Sequence, residues 1–267
     1  MLTKLVKHEF ISTWKVPVAL DATLLVLGLL AHIGIRTLPY IKDSIGFLVI
    51  MFLFAGVYYM GIIAANIVTM VFLVMRYYKN LYTAEGYLTF TLPVSTNSII
   101  NAKVITGYVW ALLSLVSTLM SILIALSGLL GMADIPYEEL SEAADEFLSV
   151  FGAGSSAIIA IVLLGLVSSL YNVLSLYVSV TVGQLWEKHK ILGAVLSYVA
   201  IYVLNLIVSQ IAMITSGFYN FMNDNLDAVF STMYTGMLHR TTIISGILAI
   251  VFYVACIMIT KKKVNLD

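Results

Sequence analysis

Apolar and charged positions alternate along this chain in long blocks rather than at short period. The 32 residues from Ser44 to Met75 contain no Asp, Glu, Lys or Arg. The same holds for the 30 residues after Lys103, the 40 after Glu146, the 33 after Lys190 and the 20 after Arg240. About 20 predominantly apolar residues suffice for a helix to cross the hydrocarbon layer. Lipid offers the backbone no hydrogen-bond partner, so such runs must be helical. A further run from Val16 to Ile35 is interrupted by Asp21. The pattern therefore predicts six spans, near 16–35, 45–75, 104–130, 154–182, 191–215 and 242–260. The 40-residue run is long enough to hide two spans, which would carry Lys261, Lys262 and Lys263 to the side opposite the amino terminus.

The basic residues argue for six, because Lys and Arg collect on the cytoplasmic side. With the amino terminus inside, Lys4, Lys7, Lys15, Arg76, Lys79, Lys103, Lys188, Lys190 and Lys261 to Lys263 are cytoplasmic, and only Arg36, Lys42 and Arg240 are outside. The expected fold is an all-α, multi-pass membrane protein. It has six transmembrane helices, an amino-terminal amphipathic interfacial helix and both termini in the cytoplasm. In this organisation residues 1–15 precede a transmembrane domain of 16–267, with a cytoplasmic loop at 76–103 and outer segments at 131–153 and 216–241.

Composition agrees. Charged residues make up 10%, against roughly 25% in soluble domains. The net charge of zero says little, since the charges are sorted by compartment. Cys256 is the single cysteine, which excludes a disulfide framework and a cysteine metal site. The first apolar run starts only after fifteen residues and no small-x-small site follows it, so no cleavable signal is expected.

Outside the spans, Leu2, Leu5, Val6, Phe10 and Trp14 share one face of a helix over 2–15, with Lys4, Lys7, His8 and Lys15 opposite. That is the pattern of a helix in the headgroup layer, serving as an anchor or as a lever on span one. The second span would measure about 46 Å as a helix, against roughly 30 Å of hydrocarbon, so it tilts or projects into the cytoplasm. The loop after it is rich in aromatics: Tyr77, Tyr78, Tyr82, Tyr87 and Phe90. These suit a partner surface or an aromatic belt at the membrane interface. Gly86 is expected to cap a short helix ending at Glu85, Pro93 to break the chain, and Ser95 or Thr96 to cap the next helix. Residues 134–151 read as an outer amphipathic helix with Asp134 as cap and a stripe from Tyr137 to Phe151 opposite six acidic residues. The segment 217–240, rich in aromatics and Met, reads as a lid or re-entrant cap.

Several chemistries leave no trace. There is no G-x-x-x-x-G-K-[ST], so ATP is not bound here through a P-loop, and no H-E-x-x-H, since His8-Glu9 lacks the second His. No catalytic residue and no metal ligand set is assigned, nothing points to nucleic acid, and an enzyme is not expected. Ion-driven transport calls for intramembrane carboxylates or histidines. Only Asp21 qualifies, and it lies one or two turns from the cytoplasmic interface near Lys15, where a salt bridge or snorkelling is expected. Polar uncharged residues do occur within spans. Most serve as interhelical glue, together with the small pairs Gly61/Ala65 and Gly165/Ser169. Tyr58, Tyr59, Asn66, Asn172 and Asn205 are the candidates for a substrate pathway, which would suit an amphipathic cargo.

The stretch Arg76 to Thr96 (Arg-Tyr-Tyr-Lys-Asn-Leu-Tyr-Thr-Ala-Glu-Gly-Tyr-Leu-Thr-Phe-Thr-Leu-Pro-Val-Ser-Thr), continuing through Lys103, resembles the loop between spans two and three of bacterial type-2 ATP-binding-cassette (ABC) exporter permeases, especially those of Firmicutes. The opening Met1 to Phe10 is similar to their amino-terminal signature, and the six-span plan covers the whole chain. The resemblance implies a permease in the bacterial cytoplasmic membrane. Two copies would pair, as a homodimer or a heterodimer, and two copies of a separate ATPase would hold ATP and Mg. It also implies a coupling helix at Tyr82 to Phe90, including Glu85 and Tyr87, and a connecting helix at Leu2 to Trp14, including Leu5 and Phe10. Trp186 and Glu187, in the short loop Gly183 to Lys190, would form a second ATPase contact. The cargo implied is an antimicrobial or toxin peptide, a drug or a lipid-linked glycan. A peptide is the best fit, multidrug efflux the alternative within the class, and a non-transporting scaffold or sensor subunit the alternative outside it.

Overall fold

The computed structural model describes residues 2–37, 45–91, 93–133, 137–149, 155–186, 188–221 and 226–263. Among these residues every regular element is helical: α1 (Leu2–Thr13), α2 (Lys15–Thr37), α3 (Ile45–Tyr82), α4 (Ala84–Thr91), α5 (Thr96–Ala133), α6 (Tyr137–Ser149), α7 (Ser155–Gly183), α8 (Lys190–Phe221) and α9 (Leu226–Lys263). Six of them, α2, α3, α5, α7, α8 and α9, are long and apolar enough to cross a membrane. The 40-residue run therefore holds one span, α7, and not two. The chain is an all-α, multi-pass membrane protein.

Local chemistry sets the breaks. Pro17 has no N–H to give the Thr13 carbonyl, and the α1–α2 joint falls at Trp14. Hydrogen bonds from Trp14 N to Phe10 O and from Val18 N to Trp14 O carry the backbone across the bend. At the start of α5, Ser95 Oγ accepts from Ser98 N at 3.3 Å, the N-cap expected. Gly86 departs from expectation. The helix does not end at Glu85; α3 runs unbroken to Tyr82, the bend falls at Thr83, and Gly86 sits buried in the first turn of α4. A Cβ on Gly86 would lie 2.5 Å from the Leu81 carbonyl oxygen, so glycine is required by close approach and not by a left-handed cap.

The spans pack as two groups. In the first, α2 packs on α5 and α3. Gly28 and Gly128 let α2 and α5 meet backbone to backbone, since a Cβ would fall 2.7 Å from Ser121 O at the first and 2.9 Å from His32 O at the second. In the second group α7, α8 and α9 pack on one another, and α7 also reaches α5 and α3. The core lies where the groups join, around Tyr77, Leu81, Ile100, Val173 and Tyr177.

The outer segments are simpler than the pattern suggested. Within 216–241, α8 continues to Phe221 and α9 begins at Leu226, so the described residues of this segment are extensions of spanning helices, and 222–225 lie outside the described residues. The acidic face of α6 is exposed at Glu138, Glu139, Glu142, Asp145 and Glu146, while Asp134, Pro136 and Phe151 lie outside the described residues. Asp21 does not pair with Lys15. It is buried, facing Ser114 of α5.

Candidate functional site

The densest polar arrangement lies at the end of the bundle where α1 meets α3, α4 and α5. It is organised by Glu9, the only acidic residue before Asp21. Glu9 Oε1 accepts from Lys103 Nζ of α5 at 2.6 Å, with the lysine side chain only 4% exposed. Glu9 Oε2 lies 3.9 Å from Arg76 Nε of α3. Arg76 Nη2 donates to Ser12 Oγ at 2.6 Å. Asn80 stands one turn beyond Arg76. The amide orientation that matches donors to acceptors directs its nitrogen to Glu85 Oε2 at 2.9 Å and its oxygen to Lys103 Nζ at 3.1 Å. One network thus ties α1 (Glu9), α5 (Lys103), α3 (Asn80, Arg76) and α4 (Glu85).

Apolar and aromatic contacts fix α1 beside it. The Phe10 ring packs against Trp110 of α5 with centroids 5.2 Å apart. Trp110 Nε1 donates to Thr13 Oγ1 at 3.1 Å, and Thr13 Oγ1 donates to the Glu9 carbonyl at 2.7 Å. Leu5 is half-buried, whereas Trp14, expected on the same face as Phe10, is 47% exposed at the joint. The inner face of α1 therefore includes Glu9 and Thr13, which hydropathy alone assigns to the polar side. The signal available in the sequence was a lone acid on a lysine-rich helix, with Arg76 and Lys103 each bordering an apolar run at the same predicted side.

Beneath the network is a tyrosine–threonine cluster. Tyr77 of α3 stacks on Tyr177 of α7, centroids 4.0 Å apart and planes 7° from parallel. Thr181 Oγ1 accepts from Tyr77 at 3.0 Å and from Tyr82 at 3.1 Å, and donates to the Tyr177 carbonyl at 2.8 Å. Tyr82 Oη also meets Thr260 Oγ1 of α9 at 3.1 Å. Every hydrogen-bonding position of Thr181 is thereby used. Between network and cluster lies a cavity of about 10 Å³ lined by Glu9, Arg76, Lys103, Thr106 and Tyr177, the scale of a single water molecule.

The aromatics of the loop consequently divide. Tyr77 is 1% exposed, and Tyr78, Tyr82 and Phe90 pack against the core. Tyr87, at 62% exposure, is the one that α4 presents outward. Tyr82 belongs to α3 and not to the short helix. The surface reading of the loop therefore narrows to α4, with Tyr87 and the exposed Glu85. Trp186 is exposed at the α7–α8 turn, over Gly193; Glu187 lies outside the described residues.

The five polar span residues do not share one cavity. Tyr58 Oη meets Ser121 Oγ of α5 at 3.0 Å, and Asn66 Nδ2 donates to Thr118 Oγ1 of α5 at 3.1 Å, so both face the α3–α5 seam. Tyr59 is 64% exposed. Asn172 is exposed on α7 and Asn205 half-buried on α8. Among the described residues no group of three or more His, Cys, Asp or Glu is placed to hold a metal ion.

Comparison of the chain with protein-family models, with curated proteins and with solved structures finds no match. The functional reading rests on the residues themselves.

Proposed function

We propose that this chain is the permease subunit of a bacterial ABC exporter. It works in the cytoplasmic membrane as a pair of permeases driven by two copies of a separate ATPase that binds ATP and Mg. The sequence resemblance at Met1 to Phe10 and Arg76 to Lys103 motivates the reading. The single structural observation in its favour is the network Glu9–Lys103–Asn80–Glu85. Those two resembling segments are the ones it joins.

The Glu9–Lys103 ion pair, from which removing one partner costs about 3–5 kcal/mol, holds α1 to α5, and a force applied to α4 reaches that pair through the hydrogen bond between Glu85 and Asn80 of α3. Tyr87 gives a docking ATPase an aromatic anchor, a residue type that concentrates binding energy at interfaces, and Glu85 adds a charge beside it. Approach of the two ATPases on binding ATP then becomes movement of α3 and α5, whose serine, threonine and asparagine contacts re-form at low cost compared with a buried charge. The cargo is an amphipathic molecule, best a peptide, since the spans offer hydroxyls and amides among aliphatic side chains.

The test is co-purification of the full chain with the ATPase encoded beside it, followed by ATP hydrolysis with amphipathic helical peptides. Peptide-stimulated hydrolysis is expected. Tyr87→Ala should weaken assembly, whereas Glu9→Gln should leave assembly intact and abolish stimulation. Absence of any ATPase partner overturns the reading in favour of a scaffold or sensor, and stimulation by small hydrophobic drugs alone replaces the peptide with multidrug efflux. Cysteines placed at Glu142 and Lys263, with Cys256 replaced, should label from opposite sides of the membrane; same-side labelling contradicts the six-span topology.

A further inference from the structure

A crevice of about 470 Å³ opens on the side of the bundle, away from the site above. Its floor is α7 (Val167, Leu170, Leu174), and its walls are α5 and α9. The rim residues Ile105 of α5 and Ile250 of α9 are exposed, so the crevice faces the surrounding membrane. Glycine on a spanning helix ordinarily lets a neighbour approach closely. Gly246 of α9 does the reverse: the only side chain near its would-be Cβ is Val167, at 3.7 Å, so the missing side chain contributes space. The volume and the lining match a small-molecule site, which is mostly apolar with few polar groups that fix orientation.

Those polar groups lie at one end. Tyr253 Oη donates to Asn101 Oδ1 at 2.6 Å. The Asn101 amide nitrogen keeps two donors, and no described residue accepts from it. Asn101 lies in the second turn of α5, about 7.5 Å from its start, toward the end of the bundle that α1 occupies. Lys261 follows Ile250 by eleven residues on α9. That is three turns and about 20°, hence the same face, and about 12 Å beyond Tyr253 along the axis. Lys262 lies about 100° further round the helix than Lys261, and both are exposed, so two flexible cationic side chains end α9 on and beside that face. Read along the membrane normal, the sequence is an aliphatic crevice, an amide donor, then a pair of cations. A phospholipid has the same order: acyl chain, ester carbonyl, phosphate.

We propose that this crevice is a binding site for an anionic phospholipid of the leaflet at the α1 end of the bundle. The acyl chain lies along α7 between α5 and α9, an ester carbonyl accepts from Asn101, and the headgroup charge is held by Lys261 and Lys262. Juxtamembrane lysines contribute roughly 1 kcal/mol each toward anionic lipid, which converts to about a 30-fold preference over zwitterionic lipid for two. The site does not depend on the exporter reading.

The test uses the full chain in nanodiscs of phosphatidylcholine doped with phosphatidylglycerol carrying a photoactivatable acyl chain, and separately with the matching phosphatidylcholine probe. Labelling is expected on α7 near Val167 and Leu170, at least tenfold stronger with the phosphatidylglycerol probe. Gly246→Trp and, at the rim, Ile250→Trp should remove it, and Gly246→Ala should retain it. Asn101→Leu should reduce it several-fold, and Lys261→Ala with Lys262→Ala should erase the preference while labelling persists. Because Ile250 is exposed, its substitution leaves folding intact and keeps the test valid if Gly246→Trp fails to fold. Labelling spread evenly over α8, equal labelling by the two probes, or cross-linking between copies through a cysteine at Ile250 would each overturn the proposal.

Discussion

Helices α7 and α8 are neighbours in sequence, nearly equal in apolarity, and opposite in situation. A third of the apolar window of α7 is buried within the chain, against 6% for α8. α8 also carries small residues, among them Gly193, Ala194, Ser197, Ala200 and Ser209, so what separates the two is where such residues are placed and what they meet. α7 carries Ser169, Ser175, Ser179, Thr181, Tyr171 and Tyr177, all buried, whereas α8 presents Leu192, Leu196, Tyr202, Leu206 and Ile207, each near half exposed. In water the more apolar helix would be the inner one. In lipid, tails are as apolar as leucine, so apolarity supplies no inward force. Small residues and hydroxyls that satisfy one another decide which helix is central. On α7, Thr181 meets Tyr77 of α3 and Tyr177 donates to the Lys103 carbonyl of α5, whereas Ser209 of α8 donates back to its own helix at Leu206; α7 touches α3, α5, α8 and α9.

Substitutions can break this contrast. The largest effect is expected at Gly107 of α5, where a Cβ would lie 2.5 Å from Tyr177 Oη and 3.2 Å from Val173 Cγ1. Gly107→Val should wedge α5 from α7 and cost about 3 kcal/mol, the upper range for overpacking, read as loss of the monodisperse peak or a lowered unfolding midpoint in detergent. A wild-type midpoint would mean that the α5–α7 seam does not hold the two groups together.

Thr181→Val comes next. It keeps the shape but leaves the phenols of Tyr77 and Tyr82 without their shared acceptor, which should cost about 2 kcal/mol. Tyr82 retains Thr260, so Tyr82→Phe in the same background should add little; a large added loss would show that Thr260 rather than Thr181 anchors the end of α3. On α8, Leu196→Ala and Leu206→Ala should each stay within about 0.5 kcal/mol, since no cavity forms where no protein atom packs. A destabilisation that grows with protein concentration would reveal that a second copy covers α8. The smallest change in stability is expected for Asn172→Leu and Asn205→Leu, which should leave the midpoint unchanged. Under the exporter proposal they separate glue from pathway: a fall in peptide-stimulated hydrolysis of the assembled complex with no change in midpoint would assign them to a pathway, and no change in either would remove them from it.

Much of the fold was legible because the bilayer imposes a length and a composition on whatever crosses it. Five charge-free runs and the run interrupted by Asp21 located six spans, and the helices follow them with ends extended past the apolar runs, α3 to Tyr82 and α9 to Lys263. The Ser95 cap was legible because it is local chemistry. The role of Gly86 was not. A glycine after a charged turn looks the same whether it caps a helix or admits a neighbouring carbonyl, and only the position of Leu81 tells the two apart. The aromatic loop misled for a related reason: Tyr77 lies beyond the apolar run, yet α3 carries it inward onto Tyr177.

The sequence by itself determined that this chain is a bundle of membrane-crossing helices, how many there are, and that an amphipathic helix precedes them. Hydrocarbon thickness and backbone hydrogen bonding make each span a helix, and the distribution of Lys and Arg decides the count where the 40-residue run has room for two. The inward turn of Glu9 to Lys103 and the burial of α7 rather than α8 were decided only in three dimensions. So was the crevice that Gly246 opens beside Asn101. Each depends on which groups meet across helices far apart in sequence, and lipid, being indifferent to apolar side chains, leaves no hydropathy signature of that choice.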